Sequence, residues 1–250
     1  MIRAVFPVTT PAVVADDGDA FRFCSTCAFS AACMAEGLDK GALRDLHMLV
    51  EHVGPLPGGS HLFRTGDRFD AIAAVRSGTV KTCRVDRDGR EQVLGFHLPG
   101  EIIGLSAIDG ERYPCDALAL DEVQLCRFSF PKIALLATRL PGIQQQLFRL
   151  MSRGISHAER LSGDHSADER IAAFLVDLSA RLQARGFLSR RFNLTMPRTD
   201  IANYLRLAPE TVSRVLRRFQ DDGLVRVRRR EIELTEPGKL AGIAEDMLSN

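Results

Sequence analysis

A chain of 250 residues with 45% hydrophobic content and a net charge of +1 is long enough for one or two folded domains, and its overall charge selects no partner. No run approaches the roughly 20 apolar residues of a membrane span, and no signal peptide is visible, so a cytoplasmic protein without a membrane partner is expected. In that setting the six cysteines point to metal or redox chemistry rather than to disulfides.

The charge is unevenly spread. Residues 1–160 carry 18 basic and 19 acidic side chains, whereas residues 181–230 carry 13 basic and 4 acidic. The second stretch reads as an electrostatic footprint for phosphate.

In chain order, residues 1–22 show no period and hold Pro7, Pro11 and the acidic group Asp16, Asp17 and Asp19, which reads as a flexible arm. Cys24, Cys27 and Cys33 follow as C-x2-C-x5-C. Leu43, Leu46, Leu49 and Val50 fall at helical spacing, which predicts a helix over 39–53. From about 56 to 130, Gly59, Gly66, Gly78, Gly89, Gly95 and Gly100 separate short strand-like runs, and Asp88-Gly89 is a hairpin signal. Six to eight short strands make a small β-roll or jelly roll, so 23–137 is expected to be a sensor domain with its cysteine loop.

After Pro131 the helical period returns. Ile143, Leu147, Leu150, Gly154, Ala158 and Leu161 form an apolar seam on one long helix, placed at 138–163 and favoured as the contact of a homodimer. Ser166 with Glu169 three residues on is a capping box, so a boundary falls at 163–166 and a new domain runs over 166–250.

Within it, TDIANYLRLA and PETVSRVLRRFQ read as two short helices joined by a turn, with Thr199 a fitting cap for the first and Pro209 the first residue of the second. Val212, Val215, Leu216 and Phe219 share the packed face of the second helix and leave Glu210, Ser213, Arg214, Arg217 and Arg218 outside. That is a helix-turn-helix pattern, and LVRVRRREIELT beside it reads as a two-stranded wing. A last short helix would span 238–248.

RSGTVK, GFHLPGEIIG, ADERIAAFLVDLS and LTMPRTDIANYL with PETVSRVLRRFQ together resemble the CRP/FNR transcription regulators from about Cys24 to the end, most closely the oxygen-responsive FNR branch. The resemblance implies an α+β chain, not an enzyme: a cyclic-nucleotide-binding-like β-roll, a dimerisation helix and a winged helix-turn-helix. It implies double-stranded DNA and RNA polymerase as partners. Glu210, Ser213 and Arg214 match E-x-x-S-R, implying that Arg214 takes the guanine of a TTGAT half-site, with Glu210 on the paired strand and Ser213 near a thymine. Two inverted half-sites in a palindromic promoter would suit a symmetric dimer. Arg217, Arg218 and the wing residues Arg228, Arg229 and Arg230 are left to position the protein on phosphates.

Three closely spaced thiolates converge on one metal or cluster and need a fourth ligand from Cys83, Cys115 or Cys126. Spacing leaves structural zinc open. Resemblance to the FNR branch, through DEVQLCRFSF, implies Cys126 as that ligand and a [4Fe–4S] cluster on Cys24, Cys27, Cys33 and Cys126, with Cys115 second in order. Response to nitric oxide or to thiol oxidation without a cluster is the alternative. Gly100-Glu101 is present, but the Arg-Ser or Arg-Ala pair that holds a cyclic phosphate in related regulators is not, so no cyclic nucleotide is expected. A cupin-like enzyme is disfavoured because His61 and His97 are far apart, with no H-x-H pair.

Two departures from the resemblance stand out. Arg206 occupies the turn where the motif usually has glycine, and ISHAERLSGDHS is shorter than the usual link by close to one helical turn.

Overall fold

A computed structural model describes residues 33–248, so the 1–22 arm, Cys24 and Cys27 lie outside the described residues. Helix α1 (Lys40–His47) starts where Asp39 accepts a hydrogen bond from the Ala42 amide at 2.8 Å. It is shorter than the expected 39–53. Val50–Leu56 instead forms strand β1, paired antiparallel with a strand more than seventy residues later. Ladder hydrogen bonds outweigh the local helical period there.

The roll consists of eight strands in two sheets. One has the order β1–β8–β3–β6, using β3 (Ala71–Ser77), β6 (Ile102–Ile103) and β8 (Val123–Ser129). The other has the order β2–β7–β4–β5, using β2 (His61–Phe63), β4 (Val80–Val85), β5 (Glu91–His97) and β7 (Asp116–Ala119). Val75, Val80, Ile103, Ala117, Val123 and Leu125 fill the space between them. All five residues from Ala71 to Val75 are buried because β3 is covered on both faces: Ala73 and Val75 look into the roll, and Ile72 and Ala74 look toward the helices. Gly78 at the β3–β4 turn has φ 82°, and a Cβ there would lie 2.3 Å from the Glu122 carbonyl oxygen, so only glycine fits RSGTVK at that point.

Helix α2 (Phe130–Arg139) ends at the extended Leu140, and α3 (Pro141–Ser162) starts at the proline that follows. The seam expected to face a partner is divided. Ile143 and Leu147 are buried against the chain's own roll with Leu150 beside them, Gly154 and Ala158 are exposed, and Leu161 packs on the following domain. The large apolar side chains that α3 exposes are Phe148, 56% exposed, and Ile155, 61% exposed, about a quarter turn round from that seam.

Helix α4 (Ala167–Gln183) carries the capping box with both of its hydrogen bonds made. Then come β9 (Arg191–Asn193), α5 (Arg198–Leu205), α6 (Pro209–Asp221), β10 (Val225–Arg228), β11 (Glu231–Leu234), α7 (Pro237–Ile243) and α8 (Glu245–Leu248). Helix α5 starts after Pro197 rather than at a Thr199 cap, and the wing is a three-stranded sheet, β10–β11–β9, because Arg191–Asn193 adds an edge. The final stretch is two short helices.

The two halves share a core. Val93, Phe96 and Leu98 of the roll pack with Phe174, Leu178, Tyr204 and Leu205. Glu101, in the tight turn after β5, accepts from Arg181 Nε and Nη2 at 2.8 and 2.6 Å and from Arg185 Nη2 at 2.7 Å. Lys81 bridges Glu91 at 2.8 Å and Asp200 of α5 at 2.9 Å. Asn203 of α5 bonds both the Glu91 carbonyl and the Val93 amide.

Candidate functional site

Helix α6 presents its outer face because Val212, Val215, Leu216 and Phe219 are buried at helical spacing. Glu210, Ser213, Arg214, Arg217 and Arg218 are all exposed, as the spacing predicts. Residues i, i+3 and i+4 share a face, so Glu210, Ser213 and Arg214 point to one side of α6 together. Ser213 Oγ donates to the Pro209 carbonyl at 3.1 Å, and Arg214 Nη2 donates to Thr211 Oγ1 at 3.2 Å, which restrains the guanidinium without neutralising it. Arg218 differs: it is ion-paired with Asp168 in the first turn of α4.

The basic footprint is smaller than its residue count. Arg181 and Arg185 face inward on Glu101, and Arg191 and Arg226 are paired with Glu231 and Glu233 of the wing. Arg206, Arg214, Arg217, Arg228, Arg229 and Arg230 stay exposed around α6 and at the wing tip, with no ion pair among the described residues. Arg198 Nη1 is buried without a hydrogen-bond partner among the described residues, at the first residue of the helix that crosses the phosphate backbone in this motif. Sequence reasoning did not select it, since one arginine among thirteen cations carries no local signal.

The four described cysteines divide between two sides of the roll. Cys126, on β8, is half-buried and packs on the cluster of Ile72, Phe128, Ile133, Ile143 and Leu147, with His52 Nδ1 3.8 Å from its Sγ. Burial, then Arg76 and His47, hold that imidazole below its usual pKa. Cys33 is half-buried on the same cluster, next to the fully buried Met34. Cys83 sits on β4 of the opposite sheet and Cys115 immediately before β7 of that sheet, both buried. Burial pushes the Cys83 thiol up to about 12 and raises that of Cys115, which keeps both protonated. Cys24 and Cys27 lie outside the described residues, and the described residues contain no group of three or more metal-ligating side chains.

One polar residue ties this region to α3. Gln146 is fully buried, and its Nε2 donates to the Cys33 carbonyl at 3.0 Å and to Glu36 at 3.1 Å. Arg153, two helical turns on, reaches the same Glu36 carboxylate at 3.5 Å. Nothing in QQQ marked the third glutamine for this role.

A Crp-like helix-turn-helix domain matches residues 169–243, and a cyclic nucleotide-binding domain matches residues 54–138. The chain is 43% identical over 224 residues to the transcriptional activator protein Anr of Pseudomonas protegens, covering 88% of this chain and 92% of that one. It is 38% identical to the fumarate and nitrate reduction regulatory protein of Salmonella typhi over 88% of this chain and 90% of that one. The structure of FixK2 from Bradyrhizobium japonicum superposes with a TM-score of 0.71 at 26% identity, covering 78% of this chain and 96% of that one. With the exposed face of α6, the wing beside it and the eight-stranded roll, these likenesses make it a DNA-binding transcription regulator and not an enzyme: the chain belongs to the CRP/FNR family, in its FNR branch.

Proposed function

We propose that the chain is a transcription activator that senses oxygen through a [4Fe–4S] cluster held by Cys24, Cys27, Cys33 and Cys126, and that it binds inverted TTGAT-type half-sites as a homodimer while the cluster is intact. The observation that carries this reading is the convergence of Cys33 and Cys126, 93 positions apart in the chain, on one apolar cluster with the first half of α3. The donor set fits: these two thiols pack on one cluster, whereas Cys83 is buried on β4 of the other sheet and Cys115 is buried just before β7. The chemistry supplied by such a cluster is an oxygen-labile crosslink among its ligands.

The rest follows from the chain's own side chains. Gln146 holds the backbone of Cys33 against α3, and Glu36 extends that tie to Arg153. A Cys33 segment that is anchored keeps α3 in one position on the roll, and one that is released does not. The exposed Phe148 and Ile155, on the same helix, supply the apolar contact for a second copy. Arg214 reads guanine, Glu210 and Ser213 read neighbouring edges, and Arg217 and the wing residues Arg228, Arg229 and Arg230 hold phosphates. Cyclic nucleotide is not assigned to the roll. Glu101 is taken by Arg181 and Arg185, and the Tyr113 ring stacks on Phe63 at 3.9 Å while its hydroxyl donates to the Ala71 carbonyl. RNA polymerase as protein partner and a cytoplasmic location complete the reading.

The test is an anaerobic preparation assayed for iron, sulfide, mass in solution and DNA binding, before and after air. Iron and sulfide in equal amounts, a dimer, and loss of both cluster and DNA binding on aeration are expected. Bound zinc without iron would overturn the reading. Loss of DNA binding on treatment with nitric oxide or a thiol oxidant, in a chain holding no iron, would establish the alternative.

A further inference from the structure

Among the described residues, two that are not glycine have positive φ: Arg206 at 56° and Arg229 at 57°. Arg206 is the residue after α5, with ψ 43°, the left-handed helical conformation. Arg229 lies in the two-residue link that joins Arg228 to its cross-strand partner Glu231 at the wing tip. A side chain in this conformation strains the backbone, and glycine relieves the strain.

Neither turn needs the side chain. The turn after α5 is closed by backbone bonds alone, Arg206 N to the Asn203 carbonyl at 3.1 Å and Leu207 N to the Ala202 carbonyl at 2.9 Å, which glycine would make equally well. Both arginine side chains are exposed and make no hydrogen bond or ion pair among the described residues. Arg191, Arg218 and Arg226 nearby are each paired. Strain without local compensation, at two points of one domain and in the same residue type, indicates a partner outside the chain.

The placement identifies that partner's chemistry. Arg206 stands four positions before Glu210, at the entry to the helix that addresses base edges, and Arg229 is at the tip of the adjoining wing. A major groove is bordered by phosphates, and a guanidinium is the side chain whose fork matches them. We propose that Arg206 is a phosphate-contacting residue at the entry to α6, and that the left-handed backbone at Arg206 and Arg229 is retained for the phosphate contacts these arginines make. This goes beyond the assignment of the helix face, because it adds a contact from the turn and states what its backbone strain secures.

The experiment uses the full chain with Arg206→Gly, Arg229→Gly and Arg206→Lys. Each is titrated at several salt concentrations with a duplex carrying the promoter site and with one lacking it, and each is unfolded thermally without DNA. Each glycine variant should unfold about 2–4 °C higher than the parent, the relief of one left-handed side chain. Each should also bind both duplexes more weakly by a similar factor, with the slope of log affinity on log salt shallower by about 0.9 per arginine per bound protomer. Arg206→Lys keeps the charge and should keep the parental slope. Unchanged affinity and slope in Arg206→Gly would overturn the proposal, as would weakening confined to the duplex that carries the site. A glycine variant that unfolds at lower temperature would show the side chain supporting the fold itself, which also overturns it.

Discussion

Two sets of arginines within fifty residues of one another are put to opposite uses. Arg181 and Arg185 point into the junction between the roll and the DNA-reading domain, where the Glu101 carboxylate and the Phe96 and Pro99 carbonyls take their donors. Arg214, Arg217, Arg228, Arg229 and Arg230 point out, with no ion pair among the described residues. The same side chain is structural where its donors are satisfied by its own chain and available for a ligand where they are not. Counting cations therefore overstates the DNA footprint, and the ion-pair pattern corrects it.

The largest expected effect tests the inward set. Glu101→Ala would leave the largely enclosed Arg185 guanidinium without its carboxylate and Arg181 with Asp177 alone, at a cost of about 3–5 kcal/mol, read as a lowered midpoint of denaturant unfolding. A cost below about 0.5 kcal/mol would mean that the pair at the junction is not structural, and the comparison would fail.

The inward set should also show in the pH dependence. His97 is half-buried, its Nε2 3.0 Å from Thr82 Oγ1, and burial holds its imidazole down to about 4, below the ordinary 6.5. Because the folded value is the lower one, protonation favours the unfolded chain. This contribution is complete above about pH 6.5 and is lost as pH falls toward 4, to a total of about 3 kcal/mol. His157, also lowered by burial, acts in the same direction. Burial alone would raise Glu101, but Arg181 and Arg185 override it and bring the carboxyl down to about 2. Its contribution is complete above about 4.5 and is lost between there and 2. Stability should decline in two legs on acidification, and Glu101→Gln should diminish the lower leg, of which the lowered Asp116 and Glu231 keep a part. A single leg common to both chains would contradict this assignment.

On the outward set, Arg214→Ala should cost about 1–3 kcal/mol of binding and relax preference at one base pair, whereas Arg217→Ala should weaken all duplexes alike. Equal behaviour in a competition assay with single-base variants of the site would remove the distinction between base and phosphate contacts. The smallest effect is at Arg218, which stands between the sets because Asp168 already pairs with it at the surface. Arg218→Ala should lower stability by about 0.2–1 kcal/mol and change the salt slope by less than the 0.9 of a full phosphate contact. A full change of slope would move Arg218 to the outward set.

The residues alone determined whatever is encoded by neighbours in the chain. The four buried positions of α6, the Ser166–Glu169 capping box, the Asp88-Gly89 hairpin and the glycine in RSGTVK are local features, since a helical face, a cap or a turn is specified within a few residues. The left-handed turn at Arg206, unexplained in the sequence, is the same kind of feature, and its geometry shows what the residue type left unstated. Only the tertiary structure decided the rest: that Val50–Leu56 is a strand, that the α3 seam is half consumed by its own roll, and that Gln146 reaches Cys33 across 113 positions and Arg181 reaches Glu101 across 80. Pairings of that kind depend on which surfaces meet after the chain has folded back. A buried glutamine or an inward arginine has the same local sequence signature as an exposed one.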